Sequence, residues 1–386
     1  MFIKNATIFT EKNLFQKGSI EIKNDLIHSI DFSDKNRSNE NTIDAEGLYA
    51  IPGLIDIHFH GCMGVDFCDG TASAFKKIAD YELSHGITSI CPATMSLPFD
   101  NLKSILQNAA LFSSDHSSTL VGIHLEGPFL SREKKGAQKE EFLTTADLYQ
   151  FQSLFQSSSE LIKIVTIAPE ISHHLSFIRE IKDLVRISLG HTDADYSTCC
   201  EAFQNGASHV THLYNAMSPF HHRDPGLIGA AFDHHAEVEL IGDGVHIHPS
   251  VLRSTFSMFG DDHIILVSDS MEATGMPDGV YSLGNQTVTV QGNRATLSDG
   301  TIAGSVTNLM DCVRYLIREV HLPMESVIKC ATGNPAKSIH IYDQYGSISI
   351  GKKADLLLLD SELNIRYIIK NGTFINSLCK SLSSND

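Results

Sequence analysis

The chain has 386 residues, 42% of them hydrophobic and 19% charged, enough for a large buried core and longer than a single domain usually runs. Its 29 basic against 46 acidic residues leave a formal net charge of −17, which argues against nonspecific nucleic-acid binding, since that depends on cationic side chains neutralising phosphates. An anionic ligand would need a local group of positive charges to capture it against this background.

The opening MFIKNATIFTEKN has neither a basic region followed by a long apolar run nor a small-residue cleavage site, so no signal peptide is expected. No apolar stretch reaches the length of a membrane span, and no membrane partner is expected. Residues 1–52 read as short strands (FIKNATIFT, GSIEIKNDLIHSI) separated by turns and a polar stretch, FSDKNRSNEN. The eight cysteines, at 62, 68, 91, 199, 200, 312, 330 and 379, form no CxxC pair. Dispersed thiols in mostly apolar segments suit a cytoplasmic protein better than a structural zinc cluster.

From about residue 54 one phrase recurs: a short apolar, β-branched run, a polar tip, then a stretch of helical period. The runs are LIDIHFHG (54–61), ITSICPAT (87–94), LVGIHLEGP (120–128), IKIVTIAPE (162–170), VRISLGHT (185–192), HVTHLYNA (209–216), VELIGDGVHI (238–247) and HIILVSDS (263–270). Between them lie predicted helices such as TASAFKKIADYELSHG (71–86) and STCCEAFQNG (197–206). Near-continuous apolar strands alternating with helices imply a parallel sheet covered on its faces. Eight units predict an α/β fold in which residues 53–345 form a closed (β/α)8 TIM barrel.

A β-rich insertion, GVYSLGNQTVTVQGNRATLSDGTIA (279–303), follows the eighth run and could wall a pocket. Helices are predicted at about 304–320 and 324–340. Residues 346–386 return to strand patterns (GSISIGKKADLLLLD, IRYIIKNGTFIN) before a tail, SLSSND, that reads as frayed. The two β-rich ends, 1–52 and 346–386, are expected to pair as one small β-sandwich domain.

In such a barrel the C-terminal strand ends converge on one face, where catalytic groups collect. Six of the eight tips carry His, Glu or Asp: His58 and His60, Glu126, His191, His212, His246 and Asp269; Glu170 and Thr94 end the other two without an assigned role. His58 and His60, at i and i+2 of an extended chain, face the same way, as two ligands of a divalent metal would. Against that stands coincidence, because the chain holds 20 histidines. Glu126, in HLEGPF, is a poorly placed surface charge, and a buried carboxylate needs a partner or a metal. One carboxylate with two imidazoles, His191 and His212, matches a catalytic metal environment that keeps a position open for water. Asp269 emerges from an apolar strand as either a helix cap or an acid–base group; beside a metal the second role suits it, since it can take a proton from an acidified water and return it to a leaving nitrogen.

IPGLIDIHFHG, HLEGPF, GHTDA, THLYNAMSPFHHRDPGLIGA, IGDGVHIHP, SDSMEATG and TIAGSVTNLMD closely resemble the N-acetylglucosamine-6-phosphate deacetylase family of the amidohydrolase superfamily. ATGNPAKSIHIYDQYGSISIGKKADLLLLD is similar to that superfamily's C-terminal return into a small β domain. The resemblance runs in order along nearly the whole chain. It implies hydrolysis of N-acetylglucosamine 6-phosphate, with metal ligation by Glu126, His191 and His212 and proton transfer by Asp269. It also implies substrate contacts from Asn215, Ala216, Ile302, Ala303 and Gly304, and phosphate contacts from His246 and from Arg223, whose forked guanidinium suits a phosphate; alternatively Arg223 is a loop residue paired with Asp224. An arginine at this place can reach across a dimer interface, which implies a homodimer. Some family members lack one or both histidines of the HxH pair and use one metal; this chain keeps His58 and His60, so one or two ions of zinc, iron, manganese or cobalt are expected. The loop holding Ala137 and Gln138 departs from the pattern: Gln138 stands where some members carry a histidine that touches the acetyl carbonyl, and an amide can donate there but cannot become cationic.

Overall fold

The computed structural model describes residues 1–33, 42–115 and 118–375. Most of the polar stretch FSDKNRSNEN and the tail SLSSND lie outside them.

Both ends of the chain enter one eight-stranded sheet. Its strands follow the order Thr373–Phe374, Ile365–Lys370, Leu356–Leu359, Tyr49–Pro52, Phe2–Phe9, Phe15–Lys23 and Leu26–Asp31, with Thr42–Asp44 also paired to Phe2–Phe9. The seam between the ends is antiparallel, Leu357 opposite Ile51 and Leu358 opposite Ala50. The run LLLL is continuous because both faces of that strand are buried. Leu356 and Leu358 pack with Ile3, Ile8, Ile20 and Ile369, whereas Leu357 and Leu359 join the core of the larger α/β part. Gly86 has φ +84, and a Cβ there would come within 2.7 Å of Leu357, so the connection entering the second barrel-type strand passes close against this sheet.

The α/β part holds the predicted runs as parallel strands in chain order. Leu54–Asp56 pairs with Ile87–Ile90, which is bridged to the next segment at Ile90–Leu120 and Ala93–His124. Ile123–Glu126, Ile162–Ile167, Arg186–Leu189, His209–Val210, Glu237–Ile241 and Ile264–Val267 then form a six-stranded sheet. The sheet curls: the Asp269 N–H, just past the last strand, donates to the His58 carbonyl at 2.9 Å beside the first. Helices cover its outer face. Ala72–Ser84 is capped by the Thr71 hydroxyl and buries Ala74, Phe75 and Ile78; Tyr196–Asn205 is capped by Asp195 and ends at Gly206.

The insertion forms an antiparallel three-stranded unit, Gly279–Leu283, Gln286–Gln291 and Arg294–Thr296. Two closing helices differ from expectation. The first starts at Leu309, capped by Asn308, and not near 304. The second is divided into Met324–Ala331 and Gly333–Ser338 at Thr332, whose backbone (φ −135, ψ −74) leaves the helical region three residues before Pro335. Among the described residues the seven cysteines are free thiols, and no helix is long and apolar enough to cross a membrane.

Candidate metal centre and substrate cavity

The strands end earlier than the apolar runs suggested, and the polar tips sit just beyond the ladder. His191, His212 and Asp269 all adopt left-handed backbone conformations, with φ of 48°, 29° and 48°. Non-glycine residues rarely stay there unless their surroundings hold them, and such residues cluster at functional sites. After Glu126 the chain must turn beside the side chain of Ser96; Gly127, at φ +93, leaves no room for a Cβ.

Glu126 is the hub. Its Oε1 lies 2.9 Å from His191 Nε2, 3.2 Å from His212 Nε2 and 3.5 Å from His58 Nε2, and its Oε2 lies 3.3 Å from His60 Nε2. Asp269 Oδ1 stands 3.3 Å from His60 Nε2 and 3.7 Å from His58 Nε2. Burial would raise the Glu126 carboxyl, but the surrounding imidazoles, His58 first and then His191 and His212, hold it well below the usual range. Asp269 is likewise pushed up by burial and pulled down further by His60 and His58. His60 moves the other way: burial disfavours its charge, but Asp269 and Glu126 raise it to about 10.

Donor chemistry tests whether a cation fits here. His191 Nδ1 lies 2.9 Å from the Lys134 carbonyl, which can only accept, so in the neutral ring Nδ1 holds the proton and Nε2 presents a lone pair. That lone pair faces a carboxylate oxygen and, at 3.0 Å, His212 Nε2. His58 Nδ1 lies 2.7 Å from Glu239 Oε2, which frees its Nε2 in the same way, and that nitrogen has no hydrogen-bond partner among the described residues. Acceptors turned toward one point need a positive centre between them. Two groups, Glu126 with His191 and His212, and Glu126 with His58 and His60, each bring their ligand atoms within 4.8 Å of one another. The residues fit a divalent cation.

A cavity of about 300 Å³ opens over this centre. His60, Glu126, Ala137, Gln138, His191, His212, Asn215, Ala216, His246, Asp269, Ile302 and Gly304 line it, together with Met95, Tyr214 and Leu283. His246 is held by Asp243, whose Oδ2 lies 2.7 Å from its Nδ1. Burial lowers His246, but that hydrogen bond and the Asp243 charge raise it on balance, toward a cation. A larger neighbouring cavity of about 570 Å³ is lined by Asp66, Asp69, Asp100 and Glu272, a poor match to an anion.

The Amidohydrolase family pattern matches residues 49–380, and a curated N-acetylglucosamine-6-phosphate deacetylase from Bacillus subtilis is 38% identical over 380 residues, 96% of each chain. The chain belongs to the amidohydrolase family, with the N-acetylglucosamine-6-phosphate deacetylases. A solved deacetylase structure from Pasteurella multocida superposes on this amidohydrolase with a TM-score of 0.92 at 28% identity, covering 97% of this chain and 98% of the other. A mutant of the Mycobacterium smegmatis deacetylase, in complex with N-acetyl-D-glucosamine-6-phosphate, reaches 0.91 at 28% identity with the same coverage.

Three of the expected site residues of this amidohydrolase stand apart from the cavity wall. His58 is fully buried and does not line the cavity. Ala303 is buried, its N–H donating to the Ala295 carbonyl. Arg223 is exposed, with Nη1 2.7 Å from His222 Nε2 instead of the considered pairing with Asp224. Gln138 is committed to protein partners: Oε1 accepts from the Ser96 N–H at 2.7 Å and Nε2 donates to Glu126 Oε2 at 3.3 Å. Glu170, unassigned in the sequence, braces the turn after His191 by accepting from the Thr192 hydroxyl at 2.6 Å and the Asp193 N–H at 2.8 Å. Sequence reasoning missed Glu239 and Asp243. Glu239 could have been found as a charged residue inside the apolar run VELI, and Asp243 as an acid three residues before His246.

Proposed function

We propose that this amidohydrolase hydrolyses N-acetylglucosamine 6-phosphate to glucosamine 6-phosphate and acetate, in amino-sugar catabolism and cell-wall sugar recycling. The observation that carries the reading is Glu126 gathered with His58, His60, His191 and His212 beside Asp269 at the floor of a sugar-sized cavity. A divalent cation held by Glu126, His191 and His212, with His58 and His60 for a second ion, supplies Lewis acidity that acidifies a water and polarises an amide carbonyl. Zinc, iron, manganese and cobalt all suit imidazole and carboxylate donors.

The protein's own groups do the rest. Asp269, its Oδ1 3.3 Å from His60 Nε2, takes the proton of the attacking water and passes it to the departing nitrogen. His246, biased toward its cation, meets the phosphate where it lines the cavity. Asn215, Ala216, Ile302 and Gly304 seat the sugar between them. Gln138 steadies Glu126 and closes the space beside Met95. Binding at the remote phosphate fixes the acetamido group against Asp269, a use of binding energy that lowers the cost of orientation.

Arg223, exposed and outside this cavity, suits a phosphate site completed across a homodimer. The architecture belonging to this reading is a closed (β/α)8 barrel of residues 53–345 with a small β-sandwich domain from 1–52 and 346–386; the His58–Asp269 backbone bond and the seam between the chain ends support it. Amidohydrolases that bridge two metals with a carboxylated lysine are disfavoured, because no lysine lines the cavity among the described residues. Acetate release from the phosphorylated and unphosphorylated sugar, measured with metal content, tests the proposal. Equal turnover of both sugars would remove the phosphate site, and metal-free protein of full activity would remove the metal centre.

A further inference from the structure

Glu239 sits in the strand Glu237–Ile241 with no exposed surface. Its neighbours Val238 and Leu240 pack outward into the main core, and the carboxylate points the other way, under the metal-binding residues. Oε2 accepts from two donors at once: His58 Nδ1 at 2.7 Å and the backbone N–H of His212 at 3.0 Å. The backbone repeats the link, the Leu213 N–H donating to the Glu239 carbonyl at 2.9 Å. One oxygen thus sets both the proton position on the His58 ring and the course of the chain that carries His212.

We propose that Glu239 is the positioning residue of the centre, aiming both His58 and His212 onto Glu126. This rests on the reading that those residues hold a divalent cation. His58, His124 and Glu239 also lie close enough to form an ion site of their own, but most of its donor atoms are committed: Glu239 Oε2 has two partners, His124 Nε2 is bound to Thr166 Oγ1 at 2.6 Å and His124 Nδ1 lies 3.3 Å from the Ile57 carbonyl, which leaves Glu239 Oε1 alone without a hydrogen-bond partner among these three residues' facing atoms. That group is a hydrogen-bonded floor. Carboxylates that orient a ligating histidine change metal affinity by about 10- to 100-fold when altered.

The test is zinc affinity, measured by competition with a chromogenic chelator, for the parent protein, Glu239→Gln, His58→Ala and the double variant. Glu239→Gln should weaken zinc binding about 10- to 100-fold in the parent background, and by a clearly smaller factor once His58 is absent, because only the His212 arm of its effect then remains. Unchanged affinity in Glu239→Gln, or the same loss in both backgrounds, overturns the proposal. A parent that binds no zinc would instead refute the metal centre itself. Where the amide variant does not fold, Glu239→Asp keeps the charge, withdraws the oxygen by one methylene and is read by the same comparison. Histidine ¹⁵N NMR of the zinc-loaded parent needs no substitution: His58 protonated at Nδ1 supports the proposal, and a bare Nδ1 overturns it.

Discussion

Acidification should destabilise the fold through one buried histidine, at the start of the helix His174–Ile181. His174 is buried, its Nδ1 donating to the Ala168 carbonyl at 2.7 Å while its Nε2 accepts the Ala146 N–H at 2.8 Å. Those contacts admit only the neutral ring, since a proton on Nε2 would face another N–H. Burial, opposed by the Ala168 bond and aided by the His173 charge, lowers His174 from 6.5 to about 4. Above pH 6.5 the ring is neutral in both folded and unfolded chains and its contribution is intact. Below that, the unfolded chain binds the proton first, so stability falls until the folded ring also protonates near pH 4. At about 1.4 kcal/mol per pH unit, the loss between pH 6.5 and 5 is about 2 kcal/mol. Denaturant unfolding of metal-free protein from pH 7.5 to 4.5 measures it against His174→Gln, whose amide does not titrate. The variant should be less stable at pH 7.5, and the gap should close by about 2 kcal/mol at pH 5. A gap independent of pH would refute the assignment of a neutral, doubly bonded ring.

Other outcomes concern the centre itself. Asp269→Asn keeps the size and an acceptor for His60 but not the base; kcat should fall about 10²- to 10⁴-fold, with metal content unchanged by elemental analysis, and full turnover would refute its role. Removing metal with a chelator should abolish acetate release and lower Tm, with both restored by zinc or manganese; activity surviving a metal-free preparation would count against the mechanism. Gln138→Ala leaves the Ser96 N–H unpartnered and removes one of the two contacts of Glu126 Oε2, and should cost about 1–3 kcal/mol of stability, seen in thermal unfolding together with weaker metal binding. Arg223→Ala should raise KM for the phosphorylated sugar. If the arginine serves a partner's cavity, mixing Arg223→Ala with Asp269→Asn protein should restore part of the lost activity, and failure of refolded mixtures to gain any would place Arg223 outside the site.

The tips were readable in the sequence because a strand end followed by a charged or imidazole side chain is a local pattern. Glu126, His191, His212 and Asp269 stand out against the apolar residues before them, and the cavity gathers all four. What the pattern does not carry is which way each side chain turns once the ladder ends. His58 and His60 look equivalent at i and i+2, but only His60 lines the cavity while His58 is drawn beneath it by Glu239. Gln138 looked free to meet a substrate; the Ser96 N–H that occupies it lies on a loop 42 positions earlier. The late start of one closing helix was, by contrast, legible: the residues before Leu309, GSVTN, are poor helix formers, Ile302 and Gly304 are held at the cavity, and Asn308 caps the helix only after them.

The seam joining Tyr49–Pro52 to Leu356–Leu359 has a consequence for synthesis. The strand Tyr49–Pro52 leaves the ribosome with a sheet edge that stays open while the whole α/β part is made, because its antiparallel neighbour Leu356–Leu359 is translated only after that part. Contacts of such long sequence separation form late, and an unpaired apolar edge is prone to self-association meanwhile. A nascent chain stalled before residue 356 should therefore be a client for chaperones even where its catalytic half is already folded.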